Sequence, residues 1–395
     1  MRIAMISVQD APGRSRHVAT LSEELHRRGH EVTIYTRRAG ERPPDRAGGV
    51  EVVHVPAGPA RGLSQDEVVP HIGEFARFLN SRWADCAPDV VHAHHWTSGL
   101  CAVLSARRTA IPIVQSFHGL AGGDSLDVER LVGRGAAGVV ATSANEAAEL
   151  VRLGVRRSRI STVPWGVDTR VFTPNGPVTP RTGRLRVVAT SELAPDDGVD
   201  DLIVALTAVS GTELVVAGGP ARRFLTGNAE HVRLCELATR HALADRISFV
   251  GQVRRTEMPA LIRSADVVVC PQRHASFGVV ALEAMACGVP VVASTAGGLA
   301  DSVVHQVTGL LVPPRNPAQL ARALRSLLGD EVRRQELGAA GHDRVTMRYA
   351  WDRVALDVLR AYDRAIGPEV IAVQRGPSQV YARLRRVLGR DDTSG

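Results

Sequence analysis

Short β-branched runs alternate with stretches of helical periodicity along almost the whole chain, which restricts the fold to parallel sheets assembled from βαβ units. In the first half the strand candidates are Arg2 to Val8, Glu31 to Thr36, Val50 to Val55, Asp89 to Ala93, Ile113 to Phe117, Val139 to Thr142 and Ile160 to Val163. Helical stretches separate most of them; in Val18 to Arg28, Val18, Leu21 and Leu25 recur at helical spacing before Gly29 ends the run. From Thr173 to Arg184 the composition turns to proline and glycine without apolar periodicity, which reads as a linker. The alternation then resumes with strand candidates at Leu185 to Thr190, Glu213 to Ala217, Ile247 to Val250, Val267 to Cys270, Val289 to Ala293 and Gly309 to Val312. The expected fold class is therefore α/β, with two Rossmann-like, doubly wound parallel-sheet domains over residues 1–172 and 185–345. A helix over about 350–366, with Val354, Val358, Leu359 and Tyr362 on one face, is expected to pack back on the first domain. Residues 367–395 form an arginine-rich tail, read either as a contact for anionic lipid or a protein partner or as a solvated terminus.

At 395 residues, 44% of them hydrophobic and 23% charged, the chain is long enough for two cores and has a soluble globular composition. No apolar run reaches membrane-spanning length and Arg2 to Val8 is too short for a signal peptide, so the expected location is cytoplasmic. The five cysteines are scattered through apolar segments and are expected to be reduced core residues. All 48 basic residues are arginine, which excludes chemistry that needs a lysine amine: a P-loop or a pyridoxal Schiff base. The net charge of +7 is spread along the chain without an aromatic platform, so nucleic acid is not the expected partner.

In open parallel sheets ligands bind at the carboxyl ends of the strands. In the second half, Phe277, Gly278, Val279 and Val280 open a helix there, and a helix N-terminus offers amides and a positive dipole end to phosphate. Glu283 lies on the same helix among small apolar residues and suits a pair of ribose hydroxyls; the alternative is a glutamate at the solvated end of a core helix. In the first half, His118 follows a strand, placed either to bond a sugar hydroxyl or to serve the fold. His92, His94 and His95 lack an Asp or Cys at metal-ligand spacing, and no metal is expected.

These residues resemble those of glycosyltransferase family 4, with the two-domain GT-B architecture, and the resemblance covers nearly the whole chain. It rests on Arg27 with Gly29 to Val32, Asp89 to His94, Ser116 to Gly119, Pro164 with Gly166 to Asp168, Gly198 to Asp200, Ala217 to Pro220, Phe277 to Pro290, Gly297, Gly298 and Thr308 to Leu311. Within the family the chain is similar to actinobacterial D-inositol-3-phosphate glycosyltransferases and to sucrose-phosphate synthases. The resemblance implies two domains facing a cleft, a UDP- or GDP-linked sugar donor, a hydroxyl acceptor, retention of anomeric configuration and no cofactor or required metal. It also implies His118 near the donor sugar, the Val253 main chain at the base, Phe277 to Val280 at sugar and phosphate, and Glu283 at ribose.

Three positions depart from the family pattern: Glu192 and Asp197 stand where an arginine and a lysine are usual, and Ala275 stands where the first of two paired glutamates is usual. The loop Gln9 to His17 keeps Gly13 alone of a glycine pair, and the loop Leu120 to Leu126 is short, so acceptor identity does not transfer. Two readings follow. In the first the chain is a transferase in which other arginines, Arg14, Arg16, Arg222, Arg223, Arg254 or Arg273, compensate at the diphosphate. In the second it is a noncatalytic GT-B homologue acting as a binding or partner subunit.

Overall fold

The computed structural model describes residues 1–8, 14–40, 46–106, 111–275 and 277–367. Arg14, among the expected phosphate contacts, has a side chain outside the described set, and the basic tail from residue 368 onward lies outside it altogether.

The chain forms two compact units, one of residues 1–164 joined by those from Val354 on, the other Trp165–Arg353. The first unit holds a sheet of β1 (Arg2–Ser7), β2 (Glu31–Arg37), β3 (Arg46–Ala47), β4 (Val50–Val55), β5 (Val90–His94), β6 (Ile113–Ser116), β7 (Gly138–Ala141) and β8 (Ile160–Thr162). Their order is β3-β4-β2-β1-β5-β6-β7-β8, parallel throughout except for β3, a two-residue antiparallel edge. The second unit holds β9 (Leu185–Thr190), β10 (Thr212–Ala217), β11 (Ile247–Gly251), β12 (Val267–Cys270), β13 (Val291–Ser294) and β14 (Gly309–Val312), in the order β11-β10-β9-β12-β13-β14. Each sheet reverses its winding once, between β1 and β5 and between β9 and β12, and the crevice at such a reversal is where doubly wound folds bind ligands. The central strands are buried on both faces, as crossover helices require.

All thirteen strand candidates are present within a residue or two; β3 is additional. The first helix, Arg14–Arg27, begins before the apolar repeat that announced it. The linker segment carries no helix or strand, yet it is stitched to the second unit: Thr179 N–H donates to the Ala260 carbonyl, and Arg263 donates to the Thr173 and Pro177 carbonyls. Residues 165–172 also pack with the second unit, where Phe172 is fully buried.

The last described helix, Trp351–Ile366, buries Val354, Ala355, Val358, Ala361, Tyr362 and Ala365. Its Tyr362 hydroxyl lies 2.8 Å from Nδ1 of His92 on β5, whose Nε2 lies 2.8 Å from Ser116 Oγ on β6. Gly138 on β7 lets this helix close in; a Cβ there would sit 3.4 Å from Ala365 Cβ. The cysteines are unpaired. Cys101, Cys270 and Cys287 are core residues as expected, but Cys86 is exposed and Cys235 half-buried.

Candidate active site

In the second unit the helix Val279–Ala286 starts beside the β9/β12 reversal. Apart from Glu283 it is apolar, and it is buried from Ala281 to Ala286, which fits a helix packed within a core. Gly278 caps it and, having no side chain, leaves the first amides without an N-cap hydrogen bond. Val253, Ala275, Phe277 and Val280 all border one core cluster, so three of the expected donor contacts share a neighbourhood with Ala275. Trp165 stacks on Phe277 at 6.4 Å between ring centroids.

Ala275 supplies no side-chain acceptor, but its backbone is used: its carbonyl accepts from the Gly298 amide at 2.9 Å. Gly297, at φ +51°, presses against that same carbonyl, and a Cβ at 297 would lie 2.0 Å from it. Gly297→Val therefore combines a left-handed backbone with a clash against main chain. It is expected to cost about 3 kcal/mol and to lower the unit's melting temperature by about 6–12 °C, read by scanning calorimetry.

Glu283 is not a solvated glutamate; it is buried, and it forms an ion pair with Arg255 in the loop after β11. The Arg255 guanidinium also lies over the Phe172 ring, 4.2 Å from its centroid. Removing the cation alone would strand a buried carboxylate. Arg255→Ala is thus expected to cost about 2–4 kcal/mol, at the low side of the range for buried pairs because the guanidinium is a third exposed. Adding Glu283→Gln to that variant should restore most of the loss in urea unfolding.

The charge reversals look different in the structure than in the sequence. Asp197 turns back on its own loop, where Oδ2 accepts from Ser191 Oγ at 2.7 Å and from the Ala194 amide at 3.1 Å. Glu192 is exposed and pairs with no described residue. Arg273, expected to compensate at phosphate, is already engaged: it donates to Asp200 at 2.9 Å, to Asp201 at 3.1 Å and to the Pro195 carbonyl at 2.5 Å. With its own amide on the Asp196 carbonyl, it braces the loop after β9 against the loop after β12. Arg254 pairs with Glu257, Arg223 lies over Phe224, and Arg16 and Arg222 are exposed.

In the first unit the carboxyl ends of β5 and β6 bring imidazoles together. His118 has φ +60° and His95 φ +66°, both in the left-handed region that a side chain other than glycine rarely adopts. His94 Nδ1 lies 2.9 Å from His118 Nε2, the two rings being stacked 9° from parallel. His17, from the first helix, meets the His118 ring edge-on at 4.9 Å. Burial pushes His17 and His92 down to about 3 and holds His94 well below the ordinary histidine range, so these three rings are neutral at pH 7. The turn after His118 is pinned by buried carboxylates. Glu146 accepts from the Gly119 amide at 2.7 Å and from the Thr142 amide and hydroxyl; Glu129 accepts from the Ala121 amide at 2.7 Å. Burial raises the pKa of both acids.

The residues singled out from the sequence, His118, Phe277 to Val280 and Glu283, lie just beyond strands β6 and β12; Arg255, His17 and Glu146, which contact Glu283, His118 and the Gly119 amide, were not singled out. Arg255 adjoins Arg254, but nothing in the sequence says which of the two reaches the helix. His17 and Glu146 sit on helices far from His118 in the chain, and only the strand order β1-β5-β6-β7 brings them near it.

A model of glycosyltransferase family 4 matches residues 13–171, and one described as glycosyl transferases group 1 matches residues 177–344. A D-inositol 3-phosphate glycosyltransferase of Kineococcus radiotolerans is 35% identical, over 95% of this chain and 97% of its own length. The enzyme of the same name from Xylanimonas cellulosilytica is 36% identical, over 92% and 97%. Among solved structures, sucrose-phosphate synthase from Thermosynechococcus elongatus superposes with a TM-score of 0.80 at 26% identity, covering 92% of this chain and 98% of that one. Anabaena HepE in complex with UDP shares the fold at 19% identity, with a TM-score of 0.75 over 92% of this chain and 100% of that one. Nothing in these relatives supports the noncatalytic reading. Matched over both units and more than 30% identical to named transferases along nearly its full length, the chain belongs to glycosyltransferase family 4 and is a glycosyltransferase of GT-B fold.

Proposed function

We propose that this transferase takes a UDP- or GDP-linked sugar and passes it to a hydroxyl acceptor with retention of configuration, without a required metal or other cofactor. The observation that carries this reading is the head of the helix Val279–Ala286: capped by a glycine, which has no side chain to bond its first amides, placed at the winding reversal, with Glu283 buried one turn further in. The amides of Val279 and Val280 and the helix dipole hold the diphosphate. Glu283 accepts the ribose hydroxyls, its charge balanced by Arg255. The Val253 main chain faces the base, and Phe277 and Gly278 the sugar. His118, with its turn fixed by Glu146, is assigned to the reacting sugar. Anabaena HepE, solved with UDP, lends support to a uridine nucleotide.

No carboxylate nucleophile is needed in this scheme. The leaving diphosphate oxygen guides the acceptor hydroxyl to the face it departs from, and the amides stabilise the charge that builds on it. The Asp197 carboxylate is turned onto its own loop by the Ser191 hydroxyl and the Ala194 amide. Unpaired thiols suit a reducing compartment and support a cytoplasmic location. No described helix is long and apolar enough to cross a membrane.

The test is calorimetry with UDP and GDP, followed by incubation with UDP-glucose and GDP-mannose in the presence of EDTA. The expected result is micromolar to millimolar nucleotide affinity, release of nucleoside diphosphate that EDTA does not suppress, and product of unchanged anomeric configuration by proton NMR. No binding of either nucleotide at millimolar concentration refutes the reading.

A further inference from the structure

We infer that the first unit carries a transition-metal site of three histidines, His17, His94 and His118, of the class that takes zinc or cobalt(II). One ring nitrogen from each lies within 4.8 Å of those of the other two. No other group of three or more metal-capable side chains converges in this way among the described residues. Zinc held tetrahedrally by imidazoles at about 2.05 Å places those nitrogens about 3.4 Å apart, so binding would draw the rings together by up to about 1.4 Å from their present spacing. The Nε2 atom of His94 is buried and has no hydrogen-bond partner among the described residues, whereas a buried polar nitrogen ordinarily has one.

The surroundings favour coordination over mere ring packing. His94 is held from two sides, by the stacked His118 ring and by the His92 ring 4.2 Å away. His92 is in turn fixed by Tyr362 and Ser116, so the ring that backs His94 is itself held in place. His118 is only half-buried and leaves an entrance from solvent. With three neutral ligands the ion keeps its full charge, and the fourth position falls to water or hydroxide, as at other three-histidine zinc centres. Because His118 is assigned above to the reacting sugar, an ion here would occupy that histidine. The site is therefore inhibitory rather than catalytic, and this consequence alone rests on the proposed function; the binding does not.

Binding is read without any activity assay. Zinc-loaded full-length protein is expected to show, by X-ray absorption, an inner shell of nitrogen and oxygen at about 2.0–2.1 Å without sulfur. A sulfur shell would transfer the ion to the exposed Cys86 or to Cys235, whose thiol lies 3.5 Å from His231, and would overturn the assignment. Cobalt(II) titrated in the visible range should bind at one equivalent, and His17→Ala or His94→Ala should each weaken that binding at least tenfold. No stoichiometric cobalt uptake at millimolar concentration, or uptake unchanged in variants whose melting curves match the parent, would overturn it equally.

Discussion

Replacing Val279 with aspartate is expected to lower the affinity for UDP and GDP at least a hundredfold while leaving the protein folded. Val279 is the first residue of the helix and half-buried, and an acidic side chain in a first turn favours the helix through its dipole. The same charge would face the diphosphate. At an effective dielectric of about 20, one like-charge contact near 4 Å opposes binding by about 4 kcal/mol, more than a hundredfold requires. Val279→Asn, of nearly the same shape without the charge, is the control and should lose no more than about fivefold. Calorimetry on the two variants separates charge from shape. Equal affinities would mean that the diphosphate is held elsewhere.

The second large effect is on acid stability. His92 is neutral in the folded protein down to about 3, whereas the unfolded chain takes up its proton near 6.5. The folded pKa is depressed by burial of a base, so below 6.5 the unfolded state binds the extra proton and stability is lost as the pH falls. The loss is about 1.4 kcal/mol per pH unit at this one residue, or about 3 kcal/mol by pH 4.5. His17 and His94 act in the same direction. Glu129 and Glu146, whose pKa values burial raises, act in the opposite one, binding protons in the folded state over the range just above the ordinary carboxylate value. The clean comparison is therefore between wild type and His92→Gln, in which an amide replaces the imidazole beside Tyr362 and Ser116. The variant's stability should depend less steeply on pH between 6.5 and 4.5 by one proton. Parallel curves from urea unfolding would contradict the assignment.

The fold was almost wholly legible because burial on both faces writes a parallel strand as a short β-branched run, and thirteen such runs stood between helical stretches. The pair Arg46–Ala47 has no such pattern, and its pairing with β4 comes from the sheet edge alone. The passage from one unit to the other at Pro164 and Trp165 carries no change in composition, whereas the proline-rich stretch that does is hydrogen-bonded to the second unit.

Of the site, the backbone elements were readable and the ionic partners were not. Gly278 before an apolar helix is legible as a helix start that has no capping side chain, whatever surrounds it. A charge is different, because its effect depends on where its partner lies. Asp197 reads as a repulsive neighbour of phosphate until its oxygen is seen closing a turn with Ser191 and Ala194. Arg273 reads as a free cation until Asp200 and Asp201 are seen to hold it. Glu283 reads as a carboxylate without a counter-charge until Arg255 arrives from another strand's loop.

The proposed sugar transfer depends on main-chain amides, not side-chain cations, holding the diphosphate in the second unit. Amide hydrogen exchange by mass spectrometry, with and without saturating UDP or GDP, tests this directly. Slowed exchange is expected, concentrated in the peptide covering residues 277–283. Protection confined to the loops around Arg222, Arg223 and Arg254, with residues 277–283 exchanging as fast as in the free protein, would contradict it.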